Sequence, residues 1–170
     1  GTVKARRRAR LSPQTGGLVV ALPRREGEHV RTGELLLQLD ARAQRAELEL
    51  AERAVRAALA QQEEACLTAE LAGKELTRAE SLYAHDITSE QHLDAARTDR
   101  ERSRAACEAA SAAAEQAEAR VHAARVQVDF TRLVAPFDGV VAEISTEVGE
   151  WITPSPPGVP GWRPRPVRWG

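Results

Sequence analysis

Between Pro23 and Pro136 the chain holds no proline, and from Ala41 to Val128 its only glycine is Gly73. Of those 88 residues 26 are alanine, the strongest helix former. A stretch this long, alanine-rich and nearly free of breakers, is expected to be a long helical segment. It is interrupted once, at Ala84-His85-Asp86-Ile87-Thr88-Ser89, where short polar and cap-forming residues replace the periodic pattern. Two helices are therefore expected, over 41–84 and 89–128.

Their apolar positions form strict heptads. In the first helix, positions 48, 55, 62, 69, 76 and 83 read Leu, Val, Gln, Ala, Leu and Tyr, and positions 51, 58, 65, 72 and 79 are all Ala. In the second, positions 93, 100, 107, 114, 121 and 128 read Leu, Arg, Cys, Ala, Val and Val, interleaved with Ala96, Ser103, Ala110, Ala117 and Ala124. A turn centred on Asp86 with antiparallel helices sets Leu76 opposite Ala96, Val55 opposite Ala117 and Ala51 opposite Val121. Each layer pairs a larger residue with alanine, so the backbones can approach closely, and the short connection enforces antiparallel neighbours. The expected hairpin is thin, stiff and about 65 Å long.

Composition narrows the function. With 3 Trp, 1 Tyr and 2 Phe in 170 residues, a large aromatic-lined catalytic core is improbable. No apolar run approaches the roughly 20 residues of a membrane span, and no secretory signal is expected within these residues. Net charge is −1, but residues 1–10 carry Lys4, Arg6, Arg7, Arg8 and Arg10 without an acid, and residues 163–170 carry three Arg. Those first ten residues lack the interleaved aromatics of a nucleic-acid patch, so no nucleic-acid partner is expected. Cys66 and Cys107 form no CxxC and no zinc spacing with His29, His85, His92 or His122, so no metal site is assigned. There is no Gly-x-Ser-x-Gly, no Cys/His constellation and no phosphate-cradling glycine loop. Neither catalytic nor cofactor-binding residues are expected, and the chain is read as non-enzymatic.

The segments flanking the hairpin repeat one another. A shift of 122 residues aligns Gly17-Leu18-Val19-Val20 with Gly139-Val140-Val141-Ala142, Leu22 with Ile144, Gly27-Glu28 with Gly149-Glu150, and Val30 with Ile152. Each half reads as a short strand, a glycine-bearing turn and another apolar position, half of a small β-sandwich that the hairpin interrupts. The expected fold class is α+β.

Gly17-Leu18-Val19-Val20 through Glu26-Gly27-Glu28-His29-Val30 and Gly33-Glu34-Leu35-Leu36, then a coiled-coil hairpin, then Arg132-Leu133-Val134-Ala135-Pro136-Phe137-Asp138-Gly139-Val140-Val141, resembles the HlyD-type membrane fusion proteins, periplasmic adaptors of Gram-negative tripartite efflux and secretion systems. The resemblance covers roughly residues 1–155. It implies a fragment with the two halves, 13–40 and 129–155, forming a lipoyl-like (barrel-sandwich hybrid) domain around the 41–128 hairpin, and 1–12 as a strand leading from a β-barrel domain outside these residues. It also implies a TolC-type outer-membrane channel and an inner-membrane transporter of RND or ABC type as partners. Self-association into a ring and attachment to the inner membrane through an anchor not in these residues complete the expectation.

Two other classes compete. Lipoyl and biotinyl carriers need a lysine on the turn joining the halves, but the chain has only Lys4 and Lys74, and the hairpin occupies that junction. A cytosolic coiled-coil scaffold would explain the heptads but not the repeat. Upstream coding sequence separates them, since an adaptor is preceded by an anchor or lipoprotein signal.

Three finer expectations remain. Residues 157–161 align with Leu35–Leu39 yet read Pro-Gly-Val-Pro-Gly, so 156–170 is expected to be a disordered tail foreign to the fold. Cys66 and Cys107 should lie near one another, and two small buried thiols are favoured over the disulfide that an oxidising compartment allows. At the hairpin tip, Arg78, Leu82 and Ser89 stand in the spacing Arg-x3-Leu-x6-Ser, similar to the channel-docking motif of the adaptors. With Leu76, Ala79 and Tyr83 filling the seam, Arg78 and Leu82 belong to an outer flank. The alternative is that Thr88 and Gln91 form a capping box and Ser89 merely opens the second helix.

Overall fold

The structure, a computed structural model, describes residues 9–154. Its elements in order are β1 (Gly17–Ala21), β2 (His29–Val30), β3 (Leu35–Leu39), α1 (Arg42–Ala84), α2 (Glu90–Asp129), β4 (Arg132–Val134), β5 (Gly139–Val140) and β6 (Trp151–Ile152). The fold is α+β. The chain divides into a helical unit, Gln44–Val126, and a β unit built from the residues on either side of it. Residues 1–8 of the expected leading strand and the whole 156–170 tail lie outside the described residues, and Ala9–Ser12 carry no strand.

In the helical unit burial follows the heptads. Ala51, Ala72 and Ala79 on α1 and Leu93, Ser103, Ala114, Ala117 and Ala124 on α2 are buried, all of them seam positions. Three cross-helix meetings repeat one offset. Gln62 Nε2 donates to Ser111 Oγ at 3.0 Å, a Cβ on Gly73 would lie 3.3 Å from Arg100 Nε, and Cys66 is bonded to Cys107. Each joins a seam residue of one helix to the flank neighbour of a seam residue on the other. Gly73, the one glycine in the helices, thus leaves room for the arginine that occupies a seam position opposite it.

The disulfide corrects the expectation of two free thiols. The alanine-rich seam brings the Cys66 and Cys107 Cα atoms to 4.6 Å, inside the range a disulfide requires. No free cysteine remains.

The β unit holds a four-stranded sheet in the order β4-β3-β1-β6 and a two-stranded sheet of β2 and β5, with every pairing antiparallel. Its buried cluster is small, Val19, Leu37 and Leu39, with Leu22, Leu133 and Ile152 packed against it. The halves of the repeat exchange strands. Gly17 and Leu18 of β1 pair with Ile152 and Trp151 of β6, and Gly139 and Val140 of β5 pair with Val30 and His29 of β2. The 122-residue shift converts one set of pairs into the other. Hydrogen bonds obey it too: Gly27 N–H donates to the Val141 carbonyl and Gly149 N–H to the Val19 carbonyl, both at 2.8 Å. Gly27 and Gly149 sit at φ 83° and 91°, left-handed positions that a Cβ disfavours. The molecule therefore contains a local two-fold built from one chain.

The Ala135-Pro136-Phe137-Asp138-Gly139 run stitches the halves together. Gly33 N–H donates to the Ala135 carbonyl at 2.7 Å and Ala135 N–H to the Glu34 carbonyl at 2.9 Å. The Asp138 carboxylate accepts from Thr32 N–H at 2.7 Å and from the Thr32 hydroxyl at 2.9 Å. These bonds, led by the one from the backbone, hold the Asp138 carboxyl below its ordinary range.

Candidate functional site

The tip of the hairpin is built by two helix terminations. Ile87 N–H donates to the Leu82 carbonyl at 2.9 Å and Asp86 N–H to the Tyr83 carbonyl at 3.0 Å. Asp86 takes φ 57°. This is a Schellman arrangement with aspartate where glycine is usual. The His85 ring donates from Nδ1 to the Ser81 carbonyl at 2.7 Å, satisfying another acceptor of the last turn.

The second helix begins with a cap from Ser89. Its hydroxyl accepts from His92 N–H at 3.3 Å and its carbonyl from Leu93 N–H at 3.2 Å. Glu90 adds a negative charge in the first turn, where the helix dipole favours one. The cap is therefore Ser89 and not Thr88, because Ser89 is the residue whose oxygen faces the amide three positions on.

Arg78 is exposed and its guanidinium meets the Glu75 carboxylate at 2.7 Å. Leu82, one turn further on, is half-buried rather than standing free. Tyr83 is 41% exposed, so it does not fill the seam as the heptad predicts; Ala79, at 2%, and Leu93, at 4%, are the last buried seam residues. Tyr83 lies in the final turn of α1, beyond which the chain leaves the helix. Ile87, at 70% exposed, is a tip residue that the sequence reading passed over. The sequence signal for it is its place inside the 84–89 break, directly after Asp86, a short polar residue of the kind that ends helices.

Arg78 and Leu82 thus share one flank of α1, and Ser89 stands across the turn at the start of α2. With Tyr83 and Ile87 they form a tip that mixes a cation, a hydroxyl and apolar groups. Such a mixed surface is of the kind that can recognise a protein. Among the described residues no His, Cys, Asp and Glu gather in a way that could hold a metal, and no helix is long and apolar enough to cross a membrane. Lys74, the carrier candidate within the described residues, lies on α1 and pairs with Glu70 at 2.6 Å, which holds the Glu70 carboxyl below its ordinary range.

Comparison with known proteins gives a consistent picture. Residues 7–157 match the family described as RND MFP, barrel-sandwich hybrid domain. Among solved structures, MacA from Actinobacillus actinomycetemcomitans superposes with a TM-score of 0.78 at 24% identity, covering 82% of this chain and 43% of that one. A MacA–MexA chimera containing the Pseudomonas aeruginosa MexA α-hairpin domain gives 0.51 at 24% identity, over 84% of this chain and 41% of that one. The periplasmic adaptor protein EmrA gives 0.50 at 16% identity, over 85% and 68%. These likenesses establish the fold, and the chain spans less than half the length of the MacA structure. No curated protein matches the sequence.

Proposed function

The chain belongs to the RND membrane fusion proteins, through their barrel-sandwich hybrid domain, and from that premise we propose that it is the adaptor segment linking an inner-membrane efflux transporter, of RND or ABC type, to a TolC-type outer-membrane channel. Membrane fusion proteins are non-enzymatic, and the role is mechanical. The hairpin is a rigid strut, stiffened by the Cys66–Cys107 bond. In the full-length protein the β units self-associate into a ring in the periplasm, attached to the inner membrane. The bond between the helices suits that oxidising compartment.

Docking is assigned to the hairpin tip through Arg78, Leu82 and Ser89. The observation that supports it is the grouping at one end of the hairpin: Arg78 and Leu82 share a flank of α1, Ser89 opens α2 across the turn, and two further apolar side chains, Ile87 at 70% and Tyr83 at 41% exposed, stand uncovered in the same turn region. The test is export by the full-length protein with its transporter and channel. Arg78→Asp and Leu82→Asp should each abolish export while helix content, read by circular dichroism, stays near wild type. Full export by both variants would show that the tip does not dock through these residues.

A further inference from the structure

The seam of the hairpin changes character in its middle. Toward either end each layer sets a larger apolar residue against alanine: Leu48 with Ala124, Ala51 with Val121 and Val55 with Ala117 at one end, Leu76 with Ala96 and Ala79 with Leu93 at the other. Between them five consecutive layers hold no such residue. They read Ala58 with Ala114, Gln62 with Ala110, Ala65 with Cys107, Ala69 with Ser103 and Ala72 with Arg100. From Val55 to Leu76 the stretch is about 30 Å long at the helical rise per residue.

Small and polar layers hold two helices together weakly, because stabilisation by burial scales with the apolar area removed from water. Local sequence adds to the weakness. Gly73 lowers the helix propensity of α1, the Thr68 hydroxyl donates to the Glu64 carbonyl at 2.9 Å and the Thr77 hydroxyl to the Gly73 carbonyl at 3.1 Å, and such bonds slightly destabilise a helix. Arg100 brings a half-buried charge into the seam. The nearby leucines do not compensate, for Leu59, Leu67 and Leu71 lie off the seam at 42%, 58% and 59% exposed.

Two links cross this stretch, the Gln62–Ser111 hydrogen bond at 3.0 Å and, one turn along, the Cys66–Cys107 bond. Only the second is covalent. Both cysteines are half-buried, and the helical unit is just two helices thick, so a small thiol can reach the sulfurs.

We propose that the Cys66–Cys107 bond is a redox clasp: oxidised, it holds the five weak layers shut, and reduced by a dithiol it lets the helices part over 58–72 and 100–114 while both ends of the hairpin stay paired. One thiolate of the dithiol attacks the Sγ of either cysteine, the other cysteine leaves as a thiolate and takes up a proton, and the second sulfur of the dithiol then displaces the mixed disulfide. Two electrons pass to the cysteines, the two protons of the dithiol end on their sulfurs, and the dithiol ends as its own disulfide. The clasp is a property of the hairpin alone and is independent of what the tip docks against.

The test is amide exchange of the whole chain, oxidised and in dithiothreitol, with thiol titration of the folded protein to follow reduction. Reduction should speed exchange about tenfold or more across 60–70 and 102–112 while leaving 79–82, 93–96 and the strand amides of Leu37 and Leu39 within about twofold. Helix content by circular dichroism should stay near that of the oxidised chain, and oxidised glutathione should restore the slow exchange. Cys66→Ser combined with Cys107→Ser should show the reduced pattern with or without dithiothreitol, which separates loss of the bond from any other action of the reductant. Acceleration of equal size at the two ends, unchanged exchange in the middle after reduction, or a bond that dithiothreitol does not reduce in the folded chain would each overturn the proposal.

Discussion

Cys66 and Cys107 close a covalent ring across the hairpin, 41 residues apart in sequence and 4.6 Å apart at their Cα atoms. The bond ties a flank position of α1 to a seam position of α2 and so locks the offset that Gln62–Ser111 and Gly73–Arg100 also show.

Cross-linking a loop of that length restricts the unfolded chain by about 4 kcal/mol in the chain-entropy account. Cys66→Ser combined with Cys107→Ser should therefore lower the free energy of unfolding by about 2–4 kcal/mol in urea titrations. Protein unfolded without reductant after production in an oxidising compartment should titrate no free thiol. Two thiols per chain would show that the bond does not form.

Ser89 combines two roles that substitution can separate. Ser89→Ala removes the cap on His92 N–H and should cost about 1 kcal/mol, while Ser89→Asp keeps a capping oxygen and should stay near wild-type stability. If the hydroxyl also docks, both variants should lose export in the full-length protein. Normal export by Ser89→Asp would limit the residue to capping.

Left-handed backbone gives predictions of opposite sign in the two units. Gly27→Ala and Gly149→Ala meet open space, since a Cβ at either has nothing within 4 Å. Their cost should be backbone strain alone, about 1–2 kcal/mol, and nearly equal because the turns are equivalent. Asp86→Gly relieves the same strain at φ 57° and should raise hairpin stability by up to about 1 kcal/mol. Urea midpoints of the three variants check both signs.

Asp138 supplies a pH dependence. Its folded-state pKa is depressed from the ordinary 3.8, chiefly by the Thr32 N–H and then by the Thr32 hydroxyl. A depressed carboxylate contributes stability that is present above the unfolded-state value and lost as pH falls through the lower folded one. Glu150 acts in the same direction through Thr146 and the Glu147 N–H. Stability of the β unit should therefore decline below about pH 4, and Asp138→Asn should flatten that decline. An unchanged acid limb in the variant would remove Asp138 from the linkage.

The hairpin was legible in the sequence because its cause is local. Helix over Arg42–Ala84 and Glu90–Asp129 follows from alanine, the absence of proline and the heptad spacing, all readable without a partner strand. The interruption at 84–89 was legible for the same reason, and the 122-residue repeat showed that Gly27 and Gly149 must occupy the same kind of turn. Three things were settled only in three dimensions. Closure of the Cys66–Cys107 bond depends on how near an alanine seam lets two backbones come, a distance no spacing rule contains. The half-burial of Leu82 and the exposure of Tyr83 depend on where α1 ends, which Asp86 decides through its left-handed φ. The exchange of strands between the halves, β1 with β6 and β5 with β2, is invisible in the sequence because each short strand has the same apolar pattern. Choosing among such partners is a matter of which long-range pairing buries Val19, Leu37 and Leu39 together, and that choice belongs to the folded chain alone.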